Sequence, residues 1–185
     1  STNLDVSYQI PISASGSYLE LDYSDFETRN GDSYSGKSYE ALLGFPLKRS
    51  HSTADYLLVD LNHINESSSP SSAGDDIVSS GEVIFVQHIH DAAGNSSTSS
   101  LSLVGGHSKL ESDFTLIRGE YGRIFQLREI SDTTELKMEV NIQIGDSSTP
   151  NTHLFSLGGS DYLRGYESSE FRGDSGIKAL WEVGQ

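Results

Sequence analysis

The chain has 185 residues with 12 basic and 27 acidic side chains, a formal charge of −15 at neutral pH, and no cysteine. That balance excludes a nucleic-acid partner, because phosphate contacts need clustered Lys and Arg. The missing thiols exclude disulfides and thiolate metal sites.

No run approaches the ~20 apolar residues of a membrane helix. The N-terminal STNLDVSYQIP has neither a basic nor an apolar signal-peptide region. An envelope protein is therefore expected here in mature or excised form. Hydrophobic residues make up only 35% of the chain, yet its 9 Tyr and 7 Phe are patterned. A transmembrane β-barrel has this character, since only alternate residues face lipid and the lumen is polar.

Taken in order, the alternation predicts strands over Val6–Ile12 (Val6, Tyr8, Ile10, Ile12), Ser17–Glu27 (Leu19, Leu21, Tyr23) and Lys37–Leu47 (Tyr39, Ala41, Leu43, Phe45, Leu47). Ala54–Asn65 turns Leu57, Val59 and Leu61 one way and Asp60 and Asn62 the other. Ile77–His90 is nearly continuous in its apolar content. Lys109–Leu127 is long and ambiguous in register, with Phe114, Leu116, Arg118 and Glu120 on one parity and Ile117 and Tyr121 on the other. Glu135–Gly145 is the clearest strand. Leu136, Met138, Val140, Ile142 and Ile144 form one face, the candidate lipid-facing set, against Lys137, Glu139, Asn141 and Gln143. Ile177–Val183 closes the series. This gives about eight antiparallel strands of membrane-spanning length.

Short turns are expected at Ser13–Gly16 and His51–Thr53, with Pro11 and Pro46 near strand ends where a missing donor is tolerable. Long polar loops are expected over 28–36, 66–76, 91–108 and 147–175. Short turns on one side and long loops on the other is the asymmetry of outer-membrane barrels.

Little in the chain points to catalysis. His88 and His90 share a strand face, but no third ligand is well spaced, so no metal site is expected. There is no G-x-S-x-G elbow and no phosphate loop. Asp75 and Asp76 read as a solvated loop. The expectation is no enzyme, no cofactor and no catalytic residue.

The segment LFSLGGSDYLRGYESSEFRGDSG (154–176) is different. Gly158 and Gly159 permit a sharp turn. Arg164, between Leu163 and Gly165, is a permanently charged fork suited to carboxylates, flanked by Tyr162 and Tyr166. Gly173, Asp174, Ser175 and Gly176 lead back into a strand. A loop folded back into a polar barrel needs such an arginine, paired with acids and braced by aromatics.

This segment resembles the sixth extracellular loop of outer-membrane polypeptide transporters, whose LGG…(V/L)RG(Y/F)…GD.G wording it matches. GKSYEALLGFPLKRSHSTADYLLVDLNH (36–63) resembles a hairpin of the hemolysin secretion/activation branch, the two-partner secretion transporters. The resemblance implies a sixteen-stranded barrel in the bacterial outer membrane, periplasmic transport-associated domains, and export of an unfolded polypeptide passenger. It implies that Arg164 reaches into the lumen and gates it, with Gly165 and Tyr166 completing the loop tip. The family's usual acidic partner would lie beyond Gln185, which leaves Asp174 as a candidate substitute.

Residues 1–185 are thus expected to form part of a transmembrane barrel domain, an internal fragment with the long outer loop 147–175. Such a fragment must close on itself, self-associate or belong to a longer chain, because lipid does not tolerate open strand edges. Two other readings stand beside this one. One is the barrel of a patatin-like autotransporter. The other is a soluble eight-stranded ligand-binding β-barrel, which requires the Leu136–Ile144 face to be buried in a protein core.

Overall fold

The structure is a computed structural model that describes residues 2–30, 32–69, 75–128, 134–157 and 171–184. Nine strands form one antiparallel meander: β1 (Thr2–Pro11), β2 (Tyr18–Asn30), β3 (Asp32–Arg49), β4 (Thr53–Ser69), β5 (Asp76–His90), β6 (Ser96–Ser108), β7 (Ser112–Gln126), β8 (Glu135–Gly145) and β11 (Gly176–Gly184). Two short strands, β9 (Phe155–Leu157) and β10 (Phe171–Gly173), pair with each other inside the β8–β11 connection.

The structure adds a strand to the expected eight. Residues 91–108, expected to form a long loop, instead make a tight turn at 91–95 followed by β6. The strand SSTSSLSLVGGHS hides because serine and glycine dominate it and only Leu101 and Leu103 mark its apolar parity. What stabilises it is pairing on both sides, along β5 from Val78↔Ser108 to His90↔Ser96 and along β7 from Ser96↔Ile124 to Ser108↔Ser112. The expected loop over 28–36 is likewise strand, with β2 and β3 paired out to Asn30↔Asp32.

With β6 in place the connections sort by end. The connections after β1, β3, β5 and β7 start from strand ends at one end of the sheet, and those after β2, β4, β6 and β8 from strand ends at the other. The expected asymmetry therefore rests chiefly on the connection over 146–175.

The two faces differ chemically. One carries an unbroken apolar row across eight strands: Ile10, Leu19, Leu43, Val59, Val83, Leu103, Ile117 and Ile144 are successive cross-strand partners. Large side chains of this face, including Leu61, Phe85, Leu101 and Ile142, are exposed. The next row, on the opposite face, reads Gln9, Glu20, Leu42, Asp60, Glu82, Val104, Leu116 and Gly145. The chain is therefore apolar outside and mostly polar within, the reverse of a soluble sheet.

The apolar band also drifts against the hydrogen-bond rows. It is centred on Tyr8 in β1, while in β11 it runs through Ala179 and Trp181, positions whose rows never reach β1. Strands tilted in a curved wall require this drift.

Aromatic rings fill glycine notches on the polar face. Phe26 faces Gly36, Tyr18 faces Gly44 and Phe114 faces Gly106, each pair in direct register. Each ring occupies the space a Cβ would need on its partner. Such pairs pin register in curved sheets.

This arrangement gives a matched pair of substitutions. A Cβ at Gly106 would lie 2.6 Å from the Phe114 ring and 2.6 Å from the Ser79 backbone oxygen, whereas one at Gly105, on the other face, meets nothing within 4 Å. Gly106→Ala is expected to destabilise the fold by about 1–3 kcal/mol through overpacking, and Gly105→Ala to leave it unchanged. Urea unfolding followed by fluorescence checks both.

Candidate functional site: the β8–β11 connection on the polar face

The connection leaves β8 at an aspartate hinge. Asp146 Oδ2 accepts the Thr115 backbone N–H at 2.9 Å and Oδ1 accepts that of Ser148 at 2.9 Å. Its carbonyl accepts the Thr149 hydroxyl at 2.7 Å. This self-bonding is what a short Asp side chain does at a turn. The chain then passes through Pro150 into a 3₁₀ turn, Asn151–His153, and on to β9.

This leg lies on the polar face. Thr149, Pro150 and His153 are buried, as are Val78, Val104, Phe114 and Leu116 on β5, β6 and β7. His153 meets Phe114 edge-on, with ring centroids 5.0 Å apart. Phe155 fills the notch over Gly176, and Lys178 Nζ stands 5.6 Å from its ring centre. The four buried apolar side chains thus form a small core on a face whose strand pattern is otherwise polar.

Gln143 ties both legs of the connection to the wall. It is 5% exposed, and its Nε2 donates to the His153 carbonyl at 2.8 Å and to the Asp174 carbonyl at 3.1 Å. Its Oε1 accepts from Arg118 Nε at 3.0 Å. The other end of the guanidinium, Arg118 Nη1, lies 3.6 Å from Glu82 Oε2. A polar chain thus crosses β5, β7 and β8 and ends on the two arms of the loop. At the return, the Ser175 hydroxyl accepts the Gly145 N–H at 3.0 Å.

Of the residues singled out from sequence, Gly158, Gly159, Leu163, Arg164, Gly165 and Tyr166 lie outside the described residues. Gly173 ends β10, Asp174 contributes its carbonyl to Gln143, and Gly176 seats Phe155. Leu136, Met138, Val140, Ile142 and Ile144 share the apolar face, where Ile144 is 58% exposed. His88 bonds Thr98 at 3.0 Å and meets Tyr56 edge-on. Among the described residues no group of three or more His, Asp or Glu side chains is placed to hold a metal ion.

Sequence reasoning missed Gln143, Arg118, Glu82 and His153 as a unit. Gln143 was legible only as a polar position of the cleanest strand, and the register that sets it beside Arg118 was ambiguous. On the same face β2, β3 and β4 carry an acidic stripe of Glu20, Asp22, Glu40 and Asp60, which meets the network where Asp60 pairs with Glu82.

The solved structure of CdiB from Acinetobacter baumannii shares this fold, with a TM-score of 0.75 and 17% sequence identity over 98% of this chain. The chain spans 36% of the length of CdiB. No protein-family model and no curated protein matches the sequence. At that identity the likeness shows the fold: the chain is a stretch of antiparallel β-barrel wall, with the two legs of a long connection on its polar face.

Two outcomes follow from the clamp. Gln143→Ala removes the hydrogen bonds to both legs and should weaken loop docking by about 1–3 kcal/mol. Faster protease cleavage within 146–175, with the barrel itself still resistant, checks this. Burial, with a contribution from Arg118, holds His153 down to about 4, below the usual 6.5. The undocked imidazole takes up a proton near its ordinary value and the docked one only well below it. Docking is therefore at full strength above about pH 6.5 and weakens as pH falls toward 4. Hydrogen exchange over 146–157, corrected for intrinsic rates, should rise through that window, and His153→Gln should flatten the rise.

Proposed function

We propose that this chain is part of an outer-membrane barrel of the two-partner secretion type, which passes an unfolded polypeptide through a lumen gated by the loop bearing Arg164. The observation that carries this reading is the pair of legs of the β8–β11 connection, 146–157 and 171–175, which lie on the polar face and are both held by Gln143. A loop placed there occupies the passage of a closed barrel. The fold shared with CdiB and the transporter-like wording of 154–176 support the same assignment.

In this reading the apolar row from Ile10 to Ile144 faces lipid, as do Leu136, Met138 and Val140. The polar face lines the lumen, and sixteen strands close the wall. Export needs no nucleotide hydrolysis and no cofactor: the passenger crosses extended, templated by strand edges. The soluble ligand-binding alternative requires the Leu136–Ile144 face to be packed in a core, whereas Ile142 and Ile144 are exposed.

Arg164→Ala tests the gate. Export of the cognate passenger is expected to fall at least about tenfold, since a lumenal charge pair is lost, while heat-modifiable barrel still accumulates in the outer membrane. Undiminished export by an assembled variant would falsify the gating role.

A further inference from the structure

Arg123 is an anomaly on the apolar face. It follows Tyr121 and precedes Phe125 on the same side of β7, and its ladder neighbours are Ser97 on β6 and Met138 on β8. Met138 in turn faces Trp181 of β11. The guanidinium carbon lies 4.3 Å from the centre of the Phe125 ring, a flat cation–π stack. That contact leaves the five N–H donors of the guanidinium edge unused. Among the described residues the guanidinium forms no hydrogen bond or ion pair.

Among the described residues Asp91 feels its charge, and that carboxylate is already occupied within its own turn. Oδ1 accepts Ala93 N–H at 2.9 Å and Asn95 N–H at 3.0 Å, and Oδ2 accepts Asn95 Nδ2 at 2.8 Å. Arg123 lies near the short-turn end of β7, where Tyr121 and Trp181 supply the amphipathic rings that settle at a membrane–water boundary. Its stem and ring partner lie along apolar surface while its charge points to the edge of the band, as a snorkelling cation requires.

Resting on the membrane reading above, we propose that Arg123, braced by Phe125 and flanked by Met138 and Trp181, binds the headgroup phosphate of an anionic phospholipid at the short-turn rim of the barrel. A planar fork with free donors fits phosphate oxygens, and a negatively charged headgroup offsets a cation that has no ion-pair partner among the described residues.

The single tryptophan of the chain is a built-in reporter two strands away. The barrel, as part of its full-length protein with any tryptophan outside this chain replaced by phenylalanine, is reconstituted in equal mixtures of phosphatidylglycerol and phosphatidylcholine. Brominated chains are carried by one lipid at a time. Trp181 quenching should show phosphatidylglycerol enriched about fivefold around the wild-type protein. The enrichment should vanish in Arg123→Gln and persist in Arg49→Gln, whose guanidinium stacks on Tyr56 of the polar face. Equal quenching by both lipids in the wild type, or enrichment that survives Arg123→Gln, overturns the proposal. Absence of quenching by either lipid overturns instead the reading that this face lies in a membrane.

Discussion

A primary amide offers two N–H donors and a carbonyl oxygen with two acceptor sites, and Gln143 uses both donors and one acceptor site at one place. Its donors hold the outgoing and returning legs of the β8–β11 connection, and its acceptor takes Arg118. Buried at that depth, any of these groups left unpaired would cost more than the bond itself contributes. The loop therefore sits where it does because the wall's own polar groups are satisfied only with the loop in place. The apolar patch of Val78, Val104, Phe114 and Leu116 depends on the same docking, since it would otherwise face a polar lumen.

This arrangement divides the molecule into two regimes. The strand ladders are long and mutually braced, with β3 and β4 paired over most of their length. Among the described residues, the legs of the loop are held by Asp146, Gln143 and Ser175 and by the three paired residues of each of β9 and β10.

Much of the wall was legible in the sequence because period-two alternation is a direct imprint of a face. Leu136 through Ile144 fixed one strand and its orientation almost unaided. What stayed hidden was whatever the wall decides jointly. Serine and glycine in β6 carry little pattern of their own, and pairing on both sides makes them a strand. Gln143 looked like one polar residue among four until Arg118 and the loop carbonyls were set beside it. Lys109–Leu127 gave two parities because its two faces are both partly apolar: Phe114 and Leu116 pack under the loop while Ile117 belongs to the outer band. The motif around Arg164 was recognisable as wording, and the two legs that carry it are what the structure places.

The drift of the apolar band has a practical meaning for anyone mapping this wall residue by residue. Val6 and Asp113 stand on one ladder row, yet the first lies among Tyr8, Leu21 and Tyr23 of the apolar face and the second pairs with His107 at the sheet's far rim. Two positions that are level in hydrogen bonding are thus unequal in depth. A scan that groups substitutions by cross-strand partner would average interior with boundary and blur both. Grouping them along the slope of the band restores a depth scale, with each strand's zero point displaced from that of its neighbour.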